Sequence, residues 1–443
     1  MKKNIDLING PINSLLLKIL YPILICGIFQ QLYNILDGII VGRFLGTDAL
    51  ASIGGSSYVL ISIFVSFITG VCTGAIVIVS QSYGSRKTDQ INKSIKNSIF
   101  IAFCFGLAAF IIYFTFSKNI LMILGVPQNI INSSSNYLKI YSIGFLPSAL
   151  VLMIINLLRA TGEAKRPTYF LIGSYVLNII MDIIFIVFLK LGILGVSFSF
   201  IISQSISAVI LIIAINDDFE LFSTKFHPDL NEIKKILAIG LPSGIVSFFY
   251  AFTNLVMQSS VNNLGSDYIA AFAINGKVEM LFYVFATSLG ITVTTFVAQN
   301  YGANQKEKII TIVNKSLILG FSISCIIITF LFLFRYSLVH IFTTNELVIN
   351  IGTQLVKFMA PMYLFYLPIE IFTQTLKALG KAIVPTYITL FGVCFIRVVW
   401  LTLFANQAKS IIMILASYPI SWIITTLLTY IYYLKIRKQV LKA

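Results

Sequence analysis

Long apolar stretches, separated by short polar segments, run along the whole chain. A helix of ~20 mainly apolar residues is long enough to cross a bilayer. Twelve such stretches lie at residues 15–41, 52–80, 94–116, 137–158, 168–189, 192–214, 236–262, 268–298, 312–334, 355–376, 384–404 and 410–434. The pattern therefore predicts an all-α integral membrane protein with twelve transmembrane helices.

The composition supports this prediction. Of the 443 residues, 58% are hydrophobic and 11% are Asp, Glu, Lys or Arg, whereas soluble domains have ~25% charged residues. So few charges could not cover the surface of a soluble globule of this size. The composition excludes a soluble enzyme, a disordered chain and a secreted disulfide scaffold.

The charge balance is strongly basic, with 31 Lys and Arg against 16 Asp and Glu and a formal net charge of +15. In a soluble protein this excess would suggest a nucleic-acid partner. When the loops are assigned alternately to the two sides of a membrane, most Lys and Arg fall on the side that holds both termini. The positive-inside rule makes that side cytoplasmic, so we expect a multi-pass protein of the plasma or inner membrane with no nucleic-acid partner.

The chain also contains an internal repeat. The matching segments are GTDALAS (46–52) and GSDYIAA (265–271), QSYGS (81–85) and QNYGA (299–303), and LRATGEAKRPTY (158–169) and LKALGKAIVPTY (376–387). Pro22 and Pro242, each inside a span where proline favours a bend, pair at a similar offset. Six helices per repeat give both halves one orientation. We expect an N-terminal six-helix lobe at 1–214, a cytoplasmic linker at 215–235 and a C-terminal six-helix lobe at 236–443.

Two similar bundles around a central cavity suit a transporter that works by alternating access, an argument from fold-level analogy. The chain has no GxxxxGK[ST] phosphate-binding loop. We therefore expect no ATPase subunit, no enzymatic activity and no cofactor beyond a coupling ion. We expect the chain to act as a monomer in the lipid bilayer.

Four acidic residues fall inside predicted spans, namely Asp37, Asp182, Glu279 and Glu370. A charge at bilayer depth costs roughly 2.5–3.5 kcal/mol, so a functional role is the default interpretation. Asp182 is the only charged residue of its span, and Asn178 precedes it by one turn on the same helical face. The competing interpretation of Asp182 is a buried carboxyl satisfied by a neighbouring helix.

Asp37 belongs to a polar stripe on the first span. The other members of this stripe, at spacings of three and four residues, are Gln30, Tyr33 and Asn34. Asp37 and Asp182 both fall in the outer part of the first half, and two nearby carboxyls suit uptake of a proton or Na⁺. The second half has no such pair. The alternative for Asp37 is a position in water near the outer surface, close to Arg43.

The other two in-span acids have two open interpretations. Lys277 and Arg397 could form structural ion pairs with them, or the acids could contact a cationic substrate. Residues that could line an adaptable cavity for flat lipophilic cations are Met153, Met257, Gln258, Asn275, Glu279, Met280, Glu370 and Gln374. Ordinary helix packing is the competing interpretation for each of them.

The linker carries the acidic stretch DDFE at 217–220. Asp-rich cytoplasmic loops hold Mg²⁺ in some membrane prenyl-transfer enzymes, so Asp217 and Asp218 raise the alternative of a membrane-embedded transferase. A solvated loop is the simpler interpretation, because the chain has no second acidic cluster of this kind.

The segments QQLYNILDGIIVGRFLGTDALASIG (30–54), QSYGS, LRATGEAKRPTY and LNIIMD resemble the multidrug and toxic compound extrusion (MATE) family, and within it the prokaryotic DinF-like branch. The resemblance extends over the whole chain. It implies a MATE-like fold of two six-helix lobes and export of cationic or amphipathic compounds by antiport against H⁺ or Na⁺. It also implies that Asp37, which follows the bend at Pro22, forms the H⁺ or Na⁺ site with Asn178 and Asp182.

The chain departs from the family pattern at two places. Family members often have Thr on helix 6 where the segment GVSFSF ends in Phe200, so Ser199 or Ser203 would have to complete a Na⁺ shell. The acidic residue that NorM-like members carry on helix 7 is missing from 236–262, and Glu370 does not occupy their helix 10 position. The resemblance therefore implies one cation site, in the N-terminal lobe.

We predict a secondary active multidrug exporter. One alternative is a flippase for a lipid-linked precursor, which has the same broader fold and would favour a more basic central cavity. The transferase built on Asp217 and Asp218 is the alternative from a different functional class.

Overall fold

The computed structural model describes residues 6–54, 56–124, 126, 128–219, 221, 227–405 and 410–442, and within these residues it contains helices and no β-strand. The helices of the first half are α1 (Ile12–Gly54), α2 (Ser56–Gly84), α3 (Thr88–Ile123), α4 (Gln128–Ser142), α5 (Phe145–Ala160), α6 (Lys165–Asp182) and α7 (Ile193–Phe219). The helices of the second half are α8 (Leu230–Asn262), α9 (Ser266–Gly302), α10 (Lys306–Leu333), α11 (Arg335–His340), α12 (Glu346–Ala378), α13 (Ile383–Thr389), α14 (Ile396–Trp400) and α15 (Ile411–Lys442).

The twelve predicted spans are confirmed. Among the described residues, 11 helices are long and apolar enough to cross a membrane, and the count is 12 when α4 and α5, bent by 49° at their junction, are taken together as one span. Most helices extend beyond the apolar stretch that predicted them, because polar residues at their ends continue or cap the helix. At the start of α12, for example, the Asn345 side chain accepts hydrogen bonds from the backbone N–H groups of Leu347 (3.0 Å) and Val348 (3.4 Å).

The two halves share an irregularity in their fifth span. α6 continues directly into a π-helical segment, Ile183–Phe188, which begins immediately after Asp182. In the second half α13 and α14 are joined by the π-helical segment Leu390–Phe395, and α14 continues into another, Leu401–Ala405. The last of these begins after Trp400, the residue that the repeat matches to Asp182. Such π-helical turns occur frequently at functional sites.

The described chain forms two compact units. Unit 1 is mainly Tyr21–Gly244, and unit 2 is Leu7–Leu20 with Ile245–Ala443. The boundaries lie inside the continuous helices α1 and α8, next to Pro22 and Pro242. Each of these two helices therefore contributes one part to each unit.

Unit 1 has its core around α5, which packs against α2, α3 and α7. The side chains of Leu157 and Leu158 on α5 are completely buried, and Phe64 stacks on Phe145 with ring centroids 4.2 Å apart. Asp229 directly precedes α8, and its carboxyl accepts from the N–H of Asn231 at 2.8 Å. Unit 1 is thus a helical bundle with a continuous apolar core.

Four glycines allow α2 and the first part of α8 to cross closely within unit 1. Gly70 and Gly74 form a GxxxG pair on α2, and Gly240 and Gly244 form another on α8. A Cβ atom added at Gly70 would lie 2.4 Å from the Gly244 backbone, and one at Gly74 would lie 2.2 Å from the carbonyl oxygen of Ile236. Side chains larger than hydrogen therefore do not fit at this crossing.

Unit 2 has its core around α12, which packs against α9, α10 and α15. Aromatic residues dominate this core. The ring of Phe282 stacks on Tyr363 with centroids 4.8 Å apart, and Trp422 on α15 is 1% exposed beside them. The two units therefore have separate apolar cores, and both cores surround polar side chains from the predicted sites.

Candidate cation site

Asp37 on α1 and Asp182 on α6 lie next to each other inside unit 1. Asp182 is fully buried and Asp37 is half-buried. The two carboxyl groups interact directly, and the Ser199 hydroxyl on α7 also lies close to Asp182. Neither carboxyl oxygen of Asp182 has a hydrogen-bond donor of good geometry among the described residues. We call Asp37 and Asp182 the carboxylate site.

The hydrogen-bond donors around the carboxylate site point to other acceptors. Tyr33 donates its hydroxyl proton to Asn178 Oδ1 (3.0 Å), and Asn178 Nδ2 donates to Ser203 Oγ (2.9 Å). Ser203 in turn donates to the carbonyl of Phe200 (3.1 Å), and Ser199 donates to the carbonyl of Gly195 (2.8 Å). These bonds fix the side chains but leave oxygen lone pairs around the carboxyls. Such an environment is suited to binding a proton or a metal cation.

Tyrosines from the broken fourth span form one wall of the carboxylate site. Tyr137 and Tyr141 on α4 interact electrostatically with both carboxyls. Phe200, where the resemblance implies Thr, stacks on Tyr141 with ring centroids 4.0 Å apart. A Cβ atom at Gly144, in the bend between α4 and α5, would lie 2.6 Å from the Phe200 ring. Phe200 thus packs at the bend, and the neighbouring Ser199 is the α7 side chain near Asp182.

The predicted polar stripe of α1 divides into two parts. Tyr33 takes part in the hydrogen bonds of the site, whereas Gln30 and Asn34 are exposed. Arg43 is also exposed, and none of the ion pairs among the described residues joins it to Asp37. The alternative in which Asp37 lies in water beside Arg43 is therefore not supported.

In unit 2, Glu279 and Arg397 each contact aromatic residues. Glu279 Oε2 accepts a hydrogen bond from the Tyr363 hydroxyl (3.2 Å). Arg397 is 2% exposed, and its guanidinium lies 4.0 Å from the centroid of the Tyr418 ring and donates to Ser421 Oγ (3.3 Å). No ion pair between described residues includes either of them. They interact electrostatically but do not form the structural ion pair that the sequence left open.

Glu370 in unit 2 is held by neutral groups. Its carboxyl accepts from Gln374 Nε2 (2.9 Å) and from the Tyr366 hydroxyl (3.4 Å). A Cβ atom at Gly290 on α9 would lie 2.1 Å from Glu370 Oε1, so the glycine provides the space for this carboxyl. Lys277 is exposed and lies 5.2 Å from the Phe342 ring rather than beside an acid.

The remaining residues predicted for a substrate cavity lie in different environments. Met153 and Met257 are completely buried in the apolar cores of units 1 and 2, respectively. Asn275 is 2% exposed, and its Oδ1 has no donor among the described residues. Gln258 donates to Asn262 Oδ1 (2.8 Å), and Met280 is 42% exposed. Their role in a cavity stays a prediction.

One acid of the DDFE segment, Asp218, has a structural role in the contact between two helices. Asp218, near the end of α7, forms an ion pair with Arg166 at the start of α6. Arg166 also pairs with Glu163 at 3.3 Å. Asp217 is exposed, and Glu220 lies outside the described residues. Asp218 therefore connects two helices of unit 1.

Sequence reasoning missed three residues that contribute to this region of unit 1. Tyr137 and Tyr141 lie in the predicted span 137–158 but are uncharged, so the cost of charges in spans did not single them out. Arg159 directly follows that span, as a loop residue would. Arg159 is nevertheless only 8% exposed, in the last turn of α5. The arginine stem lets its charge extend into the bundle, which sequence position alone does not reveal.

A comparison with known families matches the chain twice to one family model, described as MatE, at residues 22–184 and again at residues 242–403. The chain belongs to the MatE family. The two matches begin at Pro22 and Pro242, so they confirm the internal repeat. This assignment makes the chain a member of a family of multi-pass membrane transporters rather than of enzymes, whereas the DinF-like branch stays a prediction.

Curated relatives of this MatE chain extend over most of its length. It is 27% identical over 427 residues to the probable multidrug resistance protein YoeA of Bacillus subtilis, covering 94% of the chain and 92% of the relative. It is 24% identical over 379 residues to the multidrug export protein MepA of Staphylococcus aureus strain NCTC 8325, covering 84% and 83%.

Solved structures confirm the fold. The structure titled an outward-facing conformation of a multidrug resistance MATE family transporter of the MOP superfamily matches with a TM-score of 0.92. The match covers 100% of both chains at 18% sequence identity. At that identity the likeness establishes the fold of the MatE chain and not its site residues.

Proposed function

We propose that the chain is a secondary active multidrug exporter, which moves cationic or amphipathic organic compounds out of the cell while H⁺ or Na⁺ moves inward. The observation that carries this proposal is the carboxylate site, where Asp37 and Asp182 are in direct contact and Asp182 is fully buried. Two ionised carboxyls repel each other and are poorly solvated at this depth. Uptake of a cation relieves both penalties.

The residues around the carboxylate site have distinct parts in binding the cation. The Asp37 and Asp182 oxygens bind the proton or coordinate Na⁺. Asn178 is oriented by Tyr33, which donates to its Oδ1. Ser199 uses its proton on its own helix, so its lone pairs remain available to a Na⁺ ion near Asp182.

The two acids also provide a way to couple cation binding to helix movement. Asp37 belongs to α1 and Asp182 belongs to α6, so a cation bound by both carboxyls holds these helices together. When the cation leaves, repulsion between the carboxyls favours their separation. We propose that cation binding at the two carboxyls rearranges α1 and releases the organic substrate outward, and that release of the cation inward separates the carboxyls again and resets the transporter.

The substrate class is proposed from the relatives and from the acids of unit 2. The relatives are named for multidrug resistance and multidrug export, which supports small organic substrates for this chain. Glu279 and Glu370 have hydroxyl and amide donors as neighbours. Neither acid is in an ion pair among the described residues. Arg397 and Lys377 interact with them only at longer range, so we propose that each carboxyl can still accept a close contact from a cationic compound.

The proposed organisation follows the predicted lobes. Residues 1–214 form the lobe that carries the cation site, 215–235 form the linker, and 236–443 form the second lobe. Both termini are cytoplasmic, the membrane is the plasma or inner membrane, and a monomer is sufficient for transport.

Reconstitution into liposomes tests the proposal. A pH gradient and a Na⁺ gradient are imposed separately, and movement of a fluorescent cationic dye is followed. We expect gradient-driven dye movement that is lost in Asp37→Asn and in Asp182→Asn, because each variant removes one of the two carboxylates. Asp217→Asn, which removes an exposed acid outside the carboxylate site, is the matched control and should transport normally. Full gradient-driven transport by both Asp37→Asn and Asp182→Asn would refute the proposed site, and loss of activity in Asp217→Asn would support the transferase.

A further inference from the structure

Arg159 carries a buried charge in unit 1 to which the transport cycle above assigns no role. Its guanidinium faces the Cys26 thiol of α1 and the Tyr175 hydroxyl of α6. Its Nε has no hydrogen-bond acceptor among the described residues, and none of their ion pairs includes Arg159. An arginine side chain stays protonated in proteins, and a charge inside a membrane bundle is expensive. A functional role is therefore the default expectation for this charge.

The second repeat has a buried cation at the matched position, together with an acid. Arg159 and Lys377 are the second residues of the matching segments LRATGEAKRPTY and LKALGKAIVPTY, and Lys377 is 7% exposed in the last turn of α12. Glu370, two turns earlier on α12, interacts electrostatically with Lys377. The residue matched to Glu370 in the first repeat is Leu152. The repeat therefore retains the buried cation, whereas only unit 2 has an acid on the same helix.

A short chain of side chains joins Arg159 to the carboxylate site. The Tyr175 ring stacks on Tyr33 with centroids 5.1 Å apart, and Tyr33 donates to Asn178. Tyr175 precedes Asp182 by two turns of α6, or ~10 Å along the helix axis. Because the guanidinium faces Tyr175, we take its separation from the carboxyls as on the order of 15 Å, the ~10 Å along the helix axis plus the contact with Tyr175.

We propose that Arg159 is the fixed counter-charge of the carboxylate site. This inference rests on the proposed function. With both carboxyls ionised, the site and Arg159 together carry a net charge of minus one, and a single monovalent cation makes them neutral. In unit 2, by contrast, Glu279 and Glu370 are already balanced by Lys377 and Arg397. The charge balance therefore assigns one H⁺ or one Na⁺ to each transport cycle, bound in unit 1.

A purely structural role for Arg159, fastening α5 to α1 and α6, makes a different prediction. Removing a fixed positive charge makes the carboxylate site more negative and strengthens its binding of a cation. Removing a side chain that only holds α5 against α1 and α6 does not strengthen cation binding. At a separation of ~15 Å and an effective dielectric constant of ~20, the repulsion between the Arg159 charge and a cation bound at the carboxylate site corresponds to a roughly sixfold change in the affinity of the site for that cation. The ionisable groups that face the carboxyls are Tyr33, Tyr137 and Tyr141, and those that face Arg159 are Cys26 and Tyr175. These groups remain in place in the variants below.

The test uses the reconstituted full chain and the same cationic dye. Dye transport is measured against Na⁺ concentration at fixed pH and against pH at fixed Na⁺, for wild type, Arg159→Gln and the matched control Lys377→Gln. We expect Arg159→Gln to reach half-maximal transport at a roughly sixfold lower concentration of the coupling cation. Lys377→Gln should leave this concentration unchanged, because Lys377 interacts with Glu370 and is not among the electrostatic partners of Asp37 and Asp182.

A second variant allows the inference to be tested even when Arg159→Gln does not fold. Leu152→Glu leaves Arg159 in place and gives it an acid two turns earlier on α5, as Glu370 is placed relative to Lys377. It should shift the half-maximal concentration in the same direction. An unchanged or higher concentration in both variants, or a wild-type exchange ratio of two cations per dye cation, would overturn the inference while the proposed site stands. If Asp37→Asn and Asp182→Asn transport normally, the proposed function fails first.

Discussion

The close crossing of α2 and α8 makes a quantitative prediction about Gly74. In Gly74→Ala the new Cβ would lie 2.2 Å from the carbonyl oxygen of Ile236 and 2.8 Å from the backbone nitrogen of Gly240. Ordinary contacts begin at 3.4 Å, so the helices must separate by about 1 Å, and contacts along the crossing are weakened. Backbone atoms cannot move aside as a flexible side chain does. We expect a loss of ~1–3 kcal/mol in folding free energy, the usual range for overpacking.

The assay is the apparent melting temperature of the purified protein in detergent, with Gly276→Ala as the matched control. Gly276 lies inside α9, and a Cβ there meets no atom within 4 Å. Replacing an interior helical glycine by alanine stabilises a helix by roughly 0.5–1 kcal/mol where space allows. The two variants should therefore shift the melting temperature in opposite directions. Equal melting temperatures for Gly74→Ala and Gly276→Ala would refute the close crossing.

Two further predictions concern single side chains of unit 1. Phe200→Thr removes the stack on Tyr141, so the melting temperature should fall, since such pairs contribute about 0.5–1.5 kcal/mol beyond their buried area; an unchanged value would contradict the packing described for Phe200. The Lys93 ammonium beside Asp229 lowers the pKa of that carboxyl below its usual value of 3.8. The resulting stabilisation is complete above about pH 4 and is lost as the pH falls through the lowered pKa. Asp229→Asn should remove this part of the acid dependence of the melting temperature, whereas the exposed-acid control Asp89→Asn should retain it.

The sequence was sufficient to predict the spans and the repeat, because membrane insertion selects long apolar stretches and a duplication preserves their order. The bend between α4 and α5 was not predicted, because the apolar stretch 137–158 continues across it. The burial of Arg159 was also missed. A long basic side chain at the end of an apolar stretch can point outward or extend inward, and neighbouring helices decide which. The bend and the burial of Arg159 thus depend on contacts between helices, which the pattern of apolar residues does not contain.

In the candidate site, too, the sequence predicts some features and only the structure shows others. The cost of charges in spans was enough to single out Asp37 and Asp182, but their contact depends on how α1 and α6 pack. The Phe200 position was recognised as a departure, and packing on Tyr141 explains why an aromatic residue fits there. The orientation of Ser199 toward Asp182 required the structure, because its neighbour Phe200 points to a different helix.

The difference between the repeats argues for coupling in one unit. At the position matched to Asp182 the second repeat has Trp400, whose indole N–H donates to the carbonyl of Met413 on the neighbouring helix at 2.8 Å. Both positions precede a π-helical segment, so the irregular backbone has been retained while the chemistry differs. In unit 2 the indole satisfies its own hydrogen-bonding group, and Glu279 and Glu370 each interact electrostatically with a buried basic residue, Arg397 and Lys377 respectively. Among the in-span acids that the structure describes, Asp37 and Asp182 are the two without a basic residue among their electrostatic partners. We therefore expect a change in cation occupancy to act first on the packing of α1 against α6.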